Sequence, residues 1–200
     1  MQITEKKPYH HGELREALLL AGESALADLP VADVSLREIA RRAGVSHAAP
    51  KHHFPSLGHL LGEIAARGFE QFVAALDVAA ARSADQSSPS RLLAMCRAYI
   101  RFAADQPAVY GLMFGKREGC ETTPHLMQAA IAAWAQLETE VAGIVGAQRA
   151  VHGALLVWST VHGMAMLHMD RKLPPHLDPM RAIDVTCRTM IAGLMADVVS

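Results

Sequence analysis

The chain has 200 residues, 51% of them hydrophobic and only 5% aromatic, with a formal net charge of −1 at pH 7. This length allows one large domain or two small ones, and the balanced charge excludes nucleic-acid binding through overall basicity, so any such function must rest on local geometry. Three separated cysteines without a CxxC pair argue against a disulfide framework or a zinc site and favour a reducing cytoplasm.

Helical spacing of apolar residues recurs along the chain, and no strand pattern is convincing. A first helix ends near Pro30, and two short helices follow before residue 54. A long helix is predicted over about 56–81, and the polar stretch 82–90 separates it from the rest. Further helices are predicted from Leu92, from Pro107, over 124–145, over 149–169 and over 179–198. The pattern predicts an all-α fold of about nine helices.

The stretch SLREIARRAGVSHAAPKHHF, residues 35–54, has the pattern of a helix-turn-helix. Ser35 is the predicted N-cap of the first helix, and Glu38 is expected to complete a capping box. Gly44 follows the last helical residue, where a left-handed conformation suits glycine. Ser46 is the predicted cap of the second helix, about 47–53. The alternative is an ordinary helical hairpin within an all-α core.

The second of these helices is predicted to enter the major groove of DNA. Its first residues would face base edges, because histidine can donate or accept and alanine can contact a thymine methyl. Its later residues would approach phosphates, and the free amides of the helix that begins at Ser56 could receive another phosphate. The predicted contact set is Ser35, Arg37, Ser46, His47, Ala48, Ala49, Lys51, His52, His53 and Ser56.

Residues 35–54 resemble the DNA-binding domain of TetR-family transcriptional regulators. The upstream KKPYHHGELREALLLAG resembles the first helix of a TetR subgroup, and WSTVHG, residues 158–163, resembles a Trp-x-x-Val-His-Gly element of that subgroup. The resemblance implies a DNA-binding domain over 1–55 and an effector-binding and dimerisation domain over 56–200. The chain departs from the family pattern at two places: Lys51 replaces the usual aromatic residue, and Leu57–Gly58 replaces the usual Lys-Glu.

The middle helices carry an unusual number of aromatic and Met residues. Such residues are often plain core, but they also line adaptable pockets between helices. The resemblance implies an effector cavity here, in which polar tips on Tyr99, Tyr110 and His162 would orient a small, mostly apolar molecule. The predicted pocket set is Tyr99, Phe102, Tyr110, Met113, Phe114, Met127, Trp134, Trp158, His162 and Met166.

A single helix-turn-helix reads few base pairs, so such proteins commonly pair. The resemblance implies a four-helix interface made by the last two helices, 149–169 and 179–198, with their copies. The alternative is that both are core helices of one subunit. Residues 150–169 contain no Asp, Glu, Lys or Arg and are long enough to span a bilayer. Their histidines, hydroxyls and glycines favour a helix buried by protein, so no membrane partner is expected.

No nucleophile–base set, phosphate loop or metal-ligand pattern is apparent, and the eleven histidines do not match a motif such as HExxH. We therefore expect no enzyme activity, no cofactor and no metal. The expected function is a homodimeric transcriptional regulator, a repressor released from a palindromic DNA operator by a small effector. The alternative is a helical ligand-binding protein with weakened or lost DNA binding.

Overall fold

The computed structural model describes residues 11–83, 85–115 and 119–196. Residues 6–10 of the amino-terminal stretch quoted above, and the last two residues of the predicted helix 179–198, lie outside these ranges. Within them the regular structure is entirely helical, with eight α-helices and three 3-10 turns. The prediction of an all-α fold with about nine helices is confirmed. The α-helices are α1 His11–Asp28, α2 Leu36–Arg42, α3 Leu57–Ala81, α4 Ser88–Asp105, α5 Pro107–Phe114, α6 Pro124–Val145, α7 Ala150–Met169 and α8 Pro179–Ala196.

Helix boundaries follow local capping chemistry. Ser56 caps α3, since its hydroxyl oxygen accepts a hydrogen bond from the His59 amide over 2.9 Å. Thr123 caps α6 in the same way through the Leu126 amide, and Pro124 occupies the first turn. These two caps set where the two longest helices begin.

Helix α3 is the central element, because it packs against α1 on one side and against α4, α5 and α6 on the other. Its first half is tied to α1 by ion pairs of Arg67 with Glu16 at 2.8 Å and with Glu23 at 3.3 Å. Its second half carries Phe69, Phe72 and Leu76 into the core of the larger bundle. The predicted domain boundary between residues 55 and 56 stays a prediction. Helix α3 follows that boundary in the sequence, but it packs against α1 as well as against the larger bundle.

The segment predicted as an α-helix over 47–53 is a short 3-10 turn, Ala49–His52. The predicted cap is also wrong, because Ala48 precedes the turn and makes no side-chain cap bond, whereas the Ser46 carbonyl accepts from the Ala49 amide. Pro50 gives the physical reason: it lacks an amide hydrogen and disfavours α-helical dihedral angles at the residue before it. The backbone therefore forms a single 3-10 turn here.

Helix α7 and its preceding turn, Ala147–Met169, are long and apolar enough to cross a membrane by length and composition alone. The bundle buries 39% of the most apolar window of this segment. The buried side is small and apolar, with Ala154, Val157 and Val161 in the core. The outward side also carries large apolar residues, notably Val151, Leu155 and Leu156.

Candidate functional sites

The entry to the helix-turn-helix is held by Ser35, whose hydroxyl oxygen accepts from the Glu38 amide at 3.2 Å. The Glu38 carboxylate does not bond back to Ser35 as the predicted capping box requires. Instead, the carboxylate accepts from Arg41 at 2.7 Å and from Arg42 at 2.8 Å. Hydrogen bonds from these two guanidinium groups lower the pKa of Glu38 to about 2. The interaction with charged donors is stronger than one with a neutral amide, which explains why half of the capping box is absent.

The turn after α2 requires a glycine. Gly44 has φ +69°, in the left-handed region, and the amide of Val45 donates to the Ala40 carbonyl over 3.0 Å. This is the bond pattern of a glycine-terminated helix. Arg42 anchors the same turn to α1, since its guanidinium donates to Asp28 at 2.7 Å and to the Ser24 carbonyl at 2.9 Å.

We call residues 46–53 the recognition segment. Its predicted contact residues mostly face solvent: Ser46, His47, Ala48, Lys51 and His52 are exposed, and Ala49 and His53 are half-buried. Two buried residues hold it in place: Pro50 within the segment and Phe54 immediately after it. The segment is therefore an anchored, outward-facing turn with mostly small and polar exposed side chains.

The remaining predicted DNA contacts flank this segment. Ser35 and Arg37 are exposed at the start of α2, and Ser56 is half-buried at the start of α3. The Ser56 hydroxyl donates to Glu121, which lies between α5 and α6. Sequence reasoning missed Glu121, because nothing in the pattern of residues 115–123 indicates what that loop packs against.

A second cluster joins the helix-turn-helix to the larger bundle. The Glu63 carboxylate, buried on α3, accepts from Arg15 of α1 and lies 3.2 Å from Nδ1 of His125 on α6. Burial raises the pKa of Glu63, but hydrogen bonds from Thr123, His125 and Arg15 outweigh it and leave the pKa below its usual value. Arg15 also lies over the Phe54 ring at 5.3 Å. These contacts link α6 to the base of the recognition segment.

The larger bundle encloses a cavity of about 310 Å³ between α3, α4, α5, α6 and α7. Its lining carries no charged side chain and is mostly aromatic or aliphatic. Trp158 lines it while 36% of its surface is exposed, so the cavity approaches solvent at this residue. The lining residues are Phe69, Phe72, Leu76, Leu92, Met95, Cys96, Tyr99, Met113, Phe114, Ala130, Ala133, Trp134, Leu137, Val157, Trp158 and Val161.

Five predicted pocket residues line this cavity: Tyr99, Met113, Phe114, Trp134 and Trp158. Phe102 packs behind the wall, with its ring 5.4 Å from that of Phe72.

Met127 and Met166 lie outside the cavity lining, and 54% and 39% of their surfaces are exposed. Helical spacing places them beside inward positions, but it does not distinguish an inward face from its flank. Sequence reasoning also missed that α3 lines the cavity. The spacing of Phe69, Phe72 and Leu76 indicates an inward face, but nothing in the sequence indicates that this face borders a void.

A chain of polar groups meets the cavity lining at Tyr99, whereas the predicted pocket residues Tyr110 and His162 lie outside the lining. The Tyr110 hydroxyl lies 2.7 Å from Nδ1 of His162. The Tyr99 hydroxyl lies 3.0 Å from the Tyr110 hydroxyl and 3.0 Å from Nδ1 of His162. Burial lowers the pKa of His162 and raises that of Tyr110 to about 12, and it also raises the pKa of Tyr99. All three groups are therefore neutral near pH 7.

Comparison with known proteins is consistent with this architecture. The family model described as "Tetracyclin repressor-like, C-terminal domain" matches residues 92–190. No curated protein matches the chain significantly. The described residues contain no group of three or more His, Cys, Asp or Glu side chains arranged to hold a metal ion.

Solved structures share the whole fold. A protein of unknown function from Rhodococcus sp. RHA1 is 33% identical, with a TM-score of 0.82 over 95% of this chain and 100% of its own. A tetR-family regulatory protein from Rhodococcus RHA1 is 20% identical, with a TM-score of 0.63 over 89% and 97% of the two chains. The TetR-family regulator PfmR from Thermus thermophilus is 21% identical, with a TM-score of 0.58 over 90% and 94%.

The family model over residues 92–190 and the shared helical fold identify a transcriptional regulator. The chain belongs to the TetR family. Its family and these named neighbours are regulators rather than enzymes.

Proposed function

We propose that this chain is a homodimeric, cytoplasmic repressor that binds a palindromic DNA operator and is released by a small effector. The observation that carries the proposal is the recognition segment, a turn held outward by Gly44 and Pro50 above a bundle with an interior cavity. Its His47 and Ala48 are exposed to reach base edges, and Lys51 and His52 are exposed to reach phosphates.

The effector is a mostly apolar molecule without net charge. An ion in this cavity would lose its hydration and meet no opposite charge, since the lining carries none and the Tyr99–Tyr110–His162 chain is neutral. Tyr99 lines the cavity, and its hydroxyl can exchange one of its bonds to Tyr110, His162 or Trp158 for a hydrogen bond to the effector. Occupancy would shift the balance between DNA-competent and DNA-incompetent arrangements.

Homodimerisation uses the outward faces of α7 and α8, which are adjacent in the bundle. Both faces expose large apolar residues that one subunit leaves uncovered, as a two-fold interface requires. They are Val151, Leu155, Leu156 and Leu167 on α7, and Met180, Val185 and Met195 on α8.

Selection of binding sites from random duplexes with the purified protein tests DNA binding. We expect enrichment of a palindrome whose half-sites lie about one helical turn apart. Repeating the selection with Lys51→Tyr should change affinity without changing the preferred sequence, because residue 51 addresses phosphate. Failure to enrich any sequence would favour the alternative, a ligand-binding protein without DNA binding, which the Lys51 and Leu57–Gly58 departures motivate.

The only two tryptophans of the sequence, Trp134 and Trp158, both line the cavity, so intrinsic fluorescence reports its occupancy. Butylbenzene, 4-butylphenol and 4-butylbenzoate form a matched set of apolar, hydrogen-bonding and anionic compounds. We expect the phenol to bind most tightly and the benzoate most weakly. Tyr99→Phe should remove the preference of the phenol over butylbenzene, and tightest binding of the benzoate would contradict a neutral effector.

Sedimentation equilibrium tests the dimer. Leu155→Glu should weaken association, because it places a charge in the proposed apolar interface. Leu20→Glu is the matched control, since Leu20 is equally exposed but lies on α1. A wild-type chain that stays monomeric at micromolar concentration would end the homodimer proposal.

A further inference from the structure

An acidic side chain from a distant part of the sequence lies against the amino end of α3. The Ser56 hydroxyl donates to the Glu121 carboxylate, across 65 residues of sequence. The Glu121 amide donates to the Gly58 carbonyl over 3.0 Å. Main chain and side chain together therefore fix this carboxylate at the first turn of α3.

Two glycines on α3 make room for the acid. A Cβ at Gly58 would lie 2.6 Å from the Gly119 carbonyl oxygen and 3.0 Å from Cγ of Glu121. A Cβ at Gly62, one turn further on, would collide with the Glu121 carbonyl oxygen. Gly58 stands where the family resemblance leads us to expect a larger residue, and here it allows the Gly119–Glu121 backbone to pack directly on the helix.

In the proposed function, a DNA phosphate approaches this first turn of α3. The first amides of a helix and its dipole attract anions, and Ser56 is one of the predicted DNA contacts. A fixed carboxylate beside this turn repels an approaching phosphate. The replacement of the usual Lys-Glu pair by Leu57–Gly58 removes a cation from the same turn, so no lysine at position 57 offsets the repulsion.

We propose that Glu121 occupies the phosphate position at the amino end of α3 and thereby lowers the operator affinity of this protein. The inference rests on the proposed function, because it concerns the DNA-facing end of the same helix. Glu121 acts as an intramolecular competitor of DNA, and its neutralisation frees one phosphate contact in each subunit.

The test uses the full-length protein and the duplex obtained by binding-site selection. Glu121→Gln keeps the shape and the hydrogen-bond acceptor but removes the charge, and Glu121→Lys reverses the charge. Asp105→Asn is the control, because it changes net charge equally at the exposed carboxyl end of α4. Circular dichroism melting confirms that each variant folds.

We expect Glu121→Gln to tighten binding about tenfold and to steepen the log–log salt dependence by about one for each subunit. Glu121→Lys should bind more tightly still, and Asp105→Asn should bind like the wild type. Equal affinity and equal salt dependence of wild type and Glu121→Gln would overturn the inference while leaving the proposed function intact. An equal gain in Asp105→Asn would also overturn it, by assigning the effect to net charge. If neither the wild type nor Glu121→Lys binds any duplex, both proposals are wrong.

Discussion

The recognition segment and the cavity wall are built in opposite ways. At the recognition segment the backbone carries the shape, through the left-handed Gly44 just before it and the buried Pro50 within it, while most side chains face solvent. In the cavity wall the backbone is regular helix and the side chains carry the shape, with aromatic rings packed edge to face, such as Phe72 against Tyr99 at 5.0 Å.

This contrast predicts how the two regions tolerate change. Exposed side chains of the recognition segment are free to vary without a cost in stability, so they can be selected for DNA sequence. Side chains of the cavity wall serve packing and, in the proposed function, ligand binding as well, so a substitution there should alter both. Substitution of the buried residue that anchors the recognition segment, Phe54, should lower stability as substitutions in the cavity wall do.

The largest expected effect is on such a support. Phe54 is 0% exposed, and its ring lies beneath Arg15. Phe54→Ala should lower the free energy of unfolding by about 3–5 kcal/mol, because it leaves a cavity where the segment is anchored. Urea denaturation measures this, with Leu20→Ala as control, since 51% of the Leu20 surface is exposed. A loss below about 1 kcal/mol would show that the segment is not anchored by this ring.

A smaller effect is expected at Tyr110, which bonds to Tyr99 of the cavity wall. Tyr110→Phe removes a hydroxyl that bonds to His162 and Tyr99. Tyr99 and His162 remain 3.0 Å apart and can still bond to each other, so the loss of unfolding free energy should be about 1 kcal/mol. Operator affinity without effector should not change. A loss of DNA binding in this variant would break the distinction between the two regions.

The junction between the regions should respond to pH. His125 lies 2.9 Å from Glu70 through Nε2 and 3.2 Å from Glu63 through Nδ1. The hydrogen bond to Glu70, followed by that to Glu63, raises the pKa of His125 above its ordinary value of 6.5, against the effect of burial. Because the folded pKa is the higher one, this stabilisation is complete below the unfolded pKa and is lost as pH rises through the folded pKa.

Urea denaturation of wild type and His125→Gln at about pH 5.5 and about pH 8.5 measures this response. The wild type should exceed the variant in stability by more at the lower pH. His176→Gln, an exposed histidine outside the helices, is the matched control. If the stability difference between wild type and His125→Gln grew with pH instead, the fold would not favour the charged form of His125.

The smallest effect on stability is expected at Lys51, which is exposed in the recognition segment. Lys51→Ala should change the free energy of unfolding by less than about 0.5 kcal/mol. The same variant should weaken DNA binding across all sequences and flatten the log–log salt dependence by about one for each subunit. A change in preferred sequence instead would mean that Lys51 contacts a base.

Much of the fold was predictable because its signals are local. Ser35, Gly44, Ser56, Thr123 and Pro124 mark helix ends through bonds within a few residues, and the structure has each of them at such an end. The prediction over 47–53 was wrong because the proline at position 50 outweighed the helical tendency of its alanine neighbours.

The candidate sites were only partly predictable. Aromatic composition indicated Tyr99, Phe114, Trp134 and Trp158, and all four line the cavity. Met127 has the same residue type as the inward methionine Met113, but it lies on the exposed flank of its helix. The direction of a helix face depends on which neighbours pack against it, and that information is spread over the whole chain.

The sequence by itself determined the all-α class, the caps of α2, α3 and α6 and the glycine turn after α2, because each depends on residues close together in the chain. Only the tertiary structure decided which inward faces enclose a void, and which loop packs on the amino end of α3. Those features depend on atoms from distant segments, such as Ser56 and Glu121, that meet only when the bundle has closed.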